Sequence, residues 1–433
     1  MTFRQAEEYL LGLELFGMRF GLDRMHKLMT VLGMPQRRFA SIHVVGTNGK
    51  SSTARFIAAI LERHGLRSGS YTSPHLSSFR ERIEVGEHPI TEADFAAAVS
   101  RAAHAADLVN RTVAEDDQVT QFEALTAAAY HELARRGVEA AVIEAGLGGR
   151  YDATNVIPSK VQVLTNVGLE HTRWLGPTVT DIAEEKLAVV RDHATLVIGD
   201  LDPEAMAVAE KTAAKRHAKL LRAAGKSPFD TYTGHNAANP PEPTPLPSPT
   251  ARTLAPFQRR NFALAAAAAE AFLERPLDAR AVQRAAGETR IPGRLEVVAD
   301  NPLTIYDGAH NPSGAAALAE ALAELLGDRR PRIAVASVLE DKDAAEILRA
   351  LLPSFDAALF TRCANPRALS PATLESLAAK VGGRPAETVA DPRAAVERAR
   401  ALAGPEGAVV ATGSIYLIAD LVRDRAGSRA STL

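Results

Sequence analysis

The chain holds one cysteine, Cys363, in 433 residues. That excludes an internal disulfide and any thiolate metal cage, and it fits a reducing cytoplasm. No apolar run reaches the roughly 18 residues that a membrane span needs. Neither sign of charge is in excess: 50 Lys and Arg stand against 52 Asp and Glu, for a formal charge of −2. A pI near 6.7 leaves no basic face for nucleic acid. The opening MTFRQAEEYLLGLELFG carries glutamates inside its apolar pattern and lacks a small-residue cleavage site, so it reads as an amphipathic helix and not a signal peptide. What is present is ordinary for a globular protein, with 46% hydrophobic and 24% charged residues, and the length suits a two-domain enzyme.

The most informative stretch is ASIHVVGTNGKSSTAR, beginning at Ala40. Ile42, Val44 and Val45 make a β-branched run suited to a buried strand, and it stops at Gly46. A helix is expected at once, capped by Ser51 or Ser52, with Phe56, Ile57, Ile60 and Leu61 on its inner face. Strand, glycine loop, lysine, hydroxyls and helix together form a phosphate cradle. Glycines let backbone N–H groups converge on an anion, the helix N-terminus adds a positive dipole end, Lys50 adds a point charge, and a serine hydroxyl can reach Mg²⁺. Val44 stands where the common phosphate loop has its first glycine, so this loop is a shortened relative. The competing reading is a plain strand-to-helix turn with Asn48-Gly49 supplying positive φ; it leaves Lys50 and two serines unexplained.

Further strands are expected to deliver polar residues to the same sheet edge. The strand 68–71 leads into Thr72-Ser73-Pro74, where Ser73 is either a ligand-facing hydroxyl or a turn initiator. The strand 140–143 delivers Glu144 into a loop with glycines at 146, 148 and 149; Glu144 is a candidate Mg²⁺ ligand, the alternative being a solvated loop acid. The strand 161–164 exits toward His171, which is either structural or a site residue. Lys186, in DIAEEKLAVV, would ordinarily be an exposed helix lysine. Thr120 and Glu123 carry a capping-box pattern for a helix starting at Gln121. The stretch 227–256 is too rich in proline for a helix or a central strand.

From about Pro292, short strands alternate with helices, which indicates a second, smaller α/β unit with a mainly parallel sheet. A domain boundary near residue 288 divides the chain into 1–288, a P-loop-type sheet domain, and 289–433, a smaller Rossmann-like α/β domain. In the second unit a strand breaks into Asp307-Gly308-Ala309-His310-Asn311-Pro312, and Arg294 lies just upstream. Two sites on two domains imply a cleft.

HVVGTNGKSS, YTSPHL, EAGLGGRYDATN, LEHTRWLG, the EEK ending at Lys186, IPGR and YDGAHNP occur in this order over nearly the whole chain. Together they resemble the folylpolyglutamate synthase/dihydrofolate synthase family of Mur-type ligases. The resemblance implies an ATP- and Mg²⁺-dependent ligase with ATP, L-glutamate and a folate or dihydropteroate as its partners, acting in the cytoplasm as a monomer. The γ-phosphate would pass to a carboxylate, and glutamate would attack the acyl phosphate. It further implies that Thr47, Asn48, Gly49, Lys50 and Ser51 cradle the phosphates, that Ser73, Glu144 and His171 ligate Mg²⁺, and that Lys186 is carbamylated. Asn261, Arg294, Asp307 and His310 would hold the nucleotide, with Lys50, Lys186 and His310 nearest the chemistry. Thr120, Gln121, Phe122 and Glu123, with Tyr151, Asp152 and Ala153, would face the pterin.

The family pattern is departed from at Ser51, where glycine is usual, at Glu170, where aspartate is usual before the histidine, and at Arg19, where bifunctional members carry an acid. A folylpolyglutamate synthase alone, or another Mur-type amide ligase, is the alternative within the class. A peptidoglycan-precursor ligase would need a uridine-nucleotide domain ahead of the loop, where only about 40 residues stand. A regulatory nucleotide-binding protein would not require the Arg294, Asp307 and His310 set.

Overall fold

The computed structural model describes residues 1–13, 21–223 and 254–423. Arg19 and the proline-rich stretch up to residue 253 lie outside the described residues. The opening helix forms over Phe3–Gly12, with Thr2 and Gln5 in a reciprocal capping box.

The first sheet is built from β1 (Ala40–Val45), β2 (Ser68–Tyr71), β3 (Ile83–Val85), β4 (His88–Pro89), β5 (Ala140–Glu144), β6 (Val161–Leu164), β7 (Thr195–Ile198) and β8 (Lys219–Arg222). Their spatial order is β4-β3-β2-β5-β1-β6-β7-β8. β2, β5, β1, β6, β7 and β8 run parallel, and β3, between β2 and the two-residue β4, is the strand that runs against them. Helices cover both faces of this sheet, so β5 and, from Ser41 onward, β1 are buried; β5 is apolar on both sides up to Glu144, whereas β1 carries the polar Ser41 and His43 beside Ile42, Val44 and Val45. β1 is flanked by β5 and β6, and chain order reverses at that point; the crevice beyond the strand ends there is where open α/β sheets hold ligands.

The second sheet has the order β13-β12-β11-β14-β10-β9, from β9 (Glu296–Asp300), β10 (Leu303–Tyr306), β11 (Arg332–Ala336), β12 (Ala357–Phe360), β13 (Ala386–Thr388) and β14 (Ala408–Thr412). All its neighbours are parallel except β9 against β10.

The two units meet directly. Leu76, from the loop after β2, is 6% exposed and packs in the apolar cluster of the second unit with Tyr416 and Ile418. Arg423 grips its carbonyl oxygen through Nε at 3.2 Å and Nη2 at 3.1 Å. On the other side, Arg259 pairs with Glu324 and Arg260 with Glu320. The helix Pro312–Leu326 thereby sits beside Pro256–Leu273.

Candidate active site

Gly46 and Gly49 give the phosphate loop its shape. Gly46 has φ +151°, and a Cβ there would lie 1.8 Å from Thr165 Oγ1. Gly49 has φ +79°, and its Cβ would lie 2.5 Å from Asn261 Oδ1. Only glycine lets both neighbours approach. The helix begins at Lys50 with Gly49 as its N-cap and no side-chain cap. The expected serine cap is therefore replaced by a left-handed glycine. Ser51 and Ser52 sit inside the first turn, which frees the Ser51 hydroxyl for another partner.

That partner is Glu144. Ser51 Oγ donates to Glu144 Oε1 at 2.9 Å, and the Ser73 backbone N–H donates to Oε2 at 2.9 Å. Glu144 is 2% exposed, so it is no solvated loop acid. Burial raises its pKa, opposed by the Lys50 charge and by the hydrogen bonds from Ser73 and Ser51. The structure thus joins three sequence-selected residues at one point. His171 lies on the loop after β6, with Nε2 3.8 Å from Glu170 Oε1. Burial, with Lys342, Lys50 and Lys186 nearby, lowers its pKa to about 4 against the pull of Glu170, so its ring is neutral at pH 7. Among the described residues no group of three or more His, Cys, Asp and Glu side chains forms a metal cage. A site here would have to draw on hydroxyl oxygen as well.

Lys186 departs most from its ordinary reading. It is 4% exposed, and its Nζ donates to the Gly46 carbonyl oxygen at 2.8 Å. Burial first, and then the Lys50 charge, lowers its pKa to about 7. Lys50 Nζ rests on the carbonyls of Gly46 and Thr47, each at 3.1 Å, so two amines meet at one loop. The helix Val179–Leu187 carries Lys186 into place because Gly149 lets the loop close on it. A Cβ at Gly149 would lie 2.7 Å from the Lys186 carbonyl oxygen and 2.8 Å from that of Glu185.

The second unit adds Arg294, Asp307 and His310. Asp307, 3% exposed, accepts from the backbone N–H of Leu295 at 2.9 Å and of Ala309 at 2.8 Å. Burial raises its pKa, opposed first by the neighbouring Arg294. Arg294 lines a cleft together with Ser51, Arg55, Thr72, His75 and Ile415, and so faces the phosphate loop across the junction. His310 Nδ1 lies 2.8 Å from the Gly308 carbonyl oxygen, which leaves Nε2 toward Glu170 Oε1 at 3.5 Å.

Several neighbours were not selected from the sequence. Asn166 accepts the Thr47 N–H on its backbone oxygen at 3.0 Å and the Asn48 N–H on its side chain at 2.9 Å. Asn311 donates to Asn48 Oδ1 at 2.9 Å and to Glu170 Oε2 at 3.2 Å, and Lys342 donates to Glu170 Oε1 at 2.9 Å. Burial alone would raise the Glu170 pKa, but His310, Lys342 and His171 hold it well below the usual carboxylate range. Asn311 had a legible signal, an N-cap residue before Pro312; Lys342 had none.

The residues expected near a pterin divide into two kinds. Thr120 and Glu123 form the capping box of Gln121–Arg135, and Glu123 also takes the buried Arg24, whose Nε lies 3.1 Å from both carboxylate oxygens. Gln121 Nε2 donates to the Leu10 carbonyl at 2.8 Å. These three fasten the helices Phe3–Gly12 and Asp23–Val31 in place. Phe122 stacks on Tyr71 at 6.2 Å between ring centres, and a Cβ at Gly146 would meet its Cζ at 2.6 Å. Tyr151 is 40% exposed, whereas Asp152 and Ala153 are buried beside it.

A phosphate loop at the switch point of one sheet, faced across a cleft by Arg294 and touched at Asn48 by Asn311 from a second, is the arrangement of an ATP-dependent, amide-forming ligase of the Mur type. Residues 44–241 match the Mur ligase middle domain and residues 293–415 match the Mur ligase, glutamate ligase domain. The chain is 35% identical to the folylpolyglutamate synthase of Lacticaseibacillus casei over 91% of this chain and 92% of that one. It is 32% identical to the dihydrofolate synthase/folylpolyglutamate synthase of Bacillus subtilis over 97% and 98%. The chain belongs to the folylpolyglutamate synthase/dihydrofolate synthase family. It superposes on Mycobacterium tuberculosis folylpolyglutamate synthase complexed with ADP and AMPPCP with a TM-score of 0.85, 32% identity and 97% coverage of each chain. The corresponding values for E. coli FolC in complex with DHPP and ADP are 0.82, 28% and 97%. Against the Haloferax volcanii bifunctional folylpolyglutamate synthase/dihydropteroate synthase the identity is 34%, and this chain spans 50% of that protein's length.

Proposed function

We propose that this protein joins the amino group of L-glutamate to the carboxylate of dihydropteroate, to the terminal carboxylate of a reduced folate, or to both. A carboxylate oxygen attacks the γ-phosphorus of ATP, the bond to the bridging oxygen breaks, and ADP departs. The glutamate amine then attacks the acyl carbon, the acyl C–O bond breaks to release phosphate, and the amine gives up a proton. A carboxylate alone has no usable leaving group, so phosphorylation supplies one, and the protein's part is positioning and charge neutralisation. The observation that carries this reading is the convergence of Lys50, Lys186 and the Ser51–Glu144 pair on one loop.

Gly49, Lys50 and Ser51 receive the phosphates on backbone N–H groups and one ammonium, while Thr47 and Asn48, whose N–H groups bond Asn166, hold the loop in shape. Asn261, against Gly49, and Arg294 and Asp307 across the cleft hold the rest of the nucleotide. Ser51 Oγ and the Glu144 carboxylate are hard oxygen donors in contact, a set that suits Mg²⁺, and the Ser73 hydroxyl and neutral His171 complete the candidate ligands. When bound, Mg²⁺ would neutralise charge on the phosphates. Lys186, buried with a pKa near 7, has the neutral amine that carbamylation by CO₂ requires. Its carbamate would be an anion beside the metal. His310 Nε2, toward Glu170, is placed to orient the incoming amino acid or the phosphate.

Phe122, Tyr151, Asp152 and Ala153 form the face for the pteroyl group. Thr120, Gln121 and Glu123 support it from behind. We place the domain boundary near residue 288, between the helix Ala279–Glu288 and β9. A cytoplasmic monomer fits this reading, and among the described residues no helix is long and apolar enough to cross a membrane. The experiment is phosphate release from ATP with and without L-glutamate, run with dihydropteroate in one arm and a reduced folate in the other. Release that requires both glutamate and an acid supports the assignment, and the arms separate the two acceptors. Release indifferent to glutamate contradicts it.

A further inference from the structure

β1 carries one residue that suits neither a hydrophobic core nor the phosphate site. His43 lies in the middle of the strand, in register with Ile143 of β5 and Gln162 of β6, and is fully buried. Its Nε2 lies 2.8 Å from Thr154 Oγ1, and its Nδ1 has no hydrogen-bond partner among the described residues. Thr154 Oγ1 in turn bonds Asp152 Oδ1, which also accepts the Thr154 backbone N–H at 3.0 Å, while Oδ2 accepts the Leu147 N–H at 2.8 Å.

The proton count fixes the direction of this chain. Asp152 accepts on both oxygens, so the single hydroxyl proton of Thr154 goes to Asp152, and Thr154 must accept from His43. His43 is therefore the neutral Nε2–H tautomer, with a bare Nδ1 left buried. Burial, reinforced by the nearby Arg191 charge, lowers its pKa to about 3, which keeps the ring neutral at working pH. A strand needing only to fill space would hold valine there, as positions 44 and 45 do; an imidazole with one unmet acceptor carries a desolvation cost that valine does not.

We propose that His43 is a positioning residue for the acceptor substrate: its Nε2–H, relayed by the Thr154 hydroxyl, fixes the Asp152 carboxylate and with it the turn 146–153. The role rests on the reading that this turn, with Phe122 packed on Gly146, faces the pteroyl group. Its consequence is mechanical coupling. The strand that ends in the phosphate loop and the floor of the acceptor site share one hydrogen-bond chain, anchored further by Tyr130, whose hydroxyl donates to the Thr154 carbonyl at 2.9 Å.

The test compares Michaelis constants for all three substrates in His43→Leu, His43→Gln and Phe122→Ala. Leucine fills the space without a donor, and the glutamine amide places an N–H where Nε2 was. Loss of the donor is expected to raise the KM for the acceptor acid about tenfold, with those for ATP and glutamate changed by less than about twofold, and glutamine should recover most of the difference. The relay is overturned if His43→Leu leaves the acceptor KM at the wild-type value, if the ATP KM rises in step with it, or if glutamine does no better than leucine. Phe122→Ala separates the two claims: an unchanged acceptor KM there defeats the substrate-face reading itself, whereas a raised one with a silent His43→Leu defeats the relay alone. Nitrogen-15 NMR of histidine-labelled protein gives a readout independent of turnover. It should show His43 protonated at Nε2 and bare at Nδ1 from pH 5 to 8, and the Nδ1–H tautomer would overturn the assignment.

Discussion

Lys186 and Gly46 are tied by a 2.8 Å hydrogen bond from Nζ to the carbonyl oxygen, which fastens the helix Val179–Leu187 to the first residue of the phosphate loop. Lys186→Ala should be nearly inactive, because the carbamate that would balance the cations at this point is gone. A short carboxylic acid in the buffer should restore part of the activity by refilling the space with an anion. Retention of most activity in Lys186→Ala would remove the carbamate from the mechanism.

The same lysine makes a pH prediction. Its folded pKa of about 7 lies below the ordinary 10.5, so between these values the unfolded chain binds a proton that the folded one does not. Stability therefore gains a contribution that grows as pH rises through that window. In CO₂-free buffer, Lys186→Met should show a flatter rise in unfolding free energy from pH 7 to 10 than the wild type. Equal slopes would mean that the amine is not desolvated.

Lys50→Ala should lower turnover by at least about two orders of magnitude, the usual loss for one preorganised electrostatic contact. Its two carbonyl contacts are local, so the folded state should survive. Circular dichroism with steady-state kinetics checks both halves, and near-normal turnover in folded protein would defeat the phosphate assignment.

Much of this site was legible because strand ends are. β-branched runs stopping at Gly46, Glu144 and Thr165 predict a common edge, and parallel pairing of β5, β1 and β6 puts them on one. What local pattern could not carry was burial decided by distant segments. Lys186 reads as a surface lysine in its own helix, and only the packing of Gly149 on that helix turns it inward. Lys342 and Glu170 are 172 residues apart and meet only because the units dock. The short β3–β4 hairpin and β13 lack the apolar runs that would announce them. Ser51 misled as a cap because Gly49, in a left-handed conformation, had already ended the loop.

Gly149→Ala tests the packing that turns Lys186 inward. The added methyl would meet two backbone oxygens, which cannot rotate away as a side chain could. A cost of about 1–3 kcal/mol in stability is expected from such overpacking. Activity should fall further than stability alone explains, because Lys186 moves with its helix. Thermal unfolding and kinetics on one preparation measure both, and an alanine variant with wild-type kinetics would contradict the packing account.

Glu170 joins the units by accepting from Lys342 and Asn311. Both ionic side chains are about one-tenth exposed, so Glu170→Ala should cost on the order of 2 kcal/mol, somewhat below a fully buried pair. In a double-mutant cycle, Lys342→Ala should add little to it. Additive losses would show that the pair does not act as a unit.

The central claim is that ATP activates a carboxylate as an acyl phosphate. The acceptor acid, dihydropteroate or a reduced folate, is labelled with oxygen-18 in its reacting carboxylate and incubated with ATP, L-glutamate and enzyme, and the released phosphate is weighed by mass spectrometry. The mechanism requires one labelled oxygen in the phosphate for each amide formed, because the acyl C–O bond is the one that breaks. Phosphate released without label would contradict it.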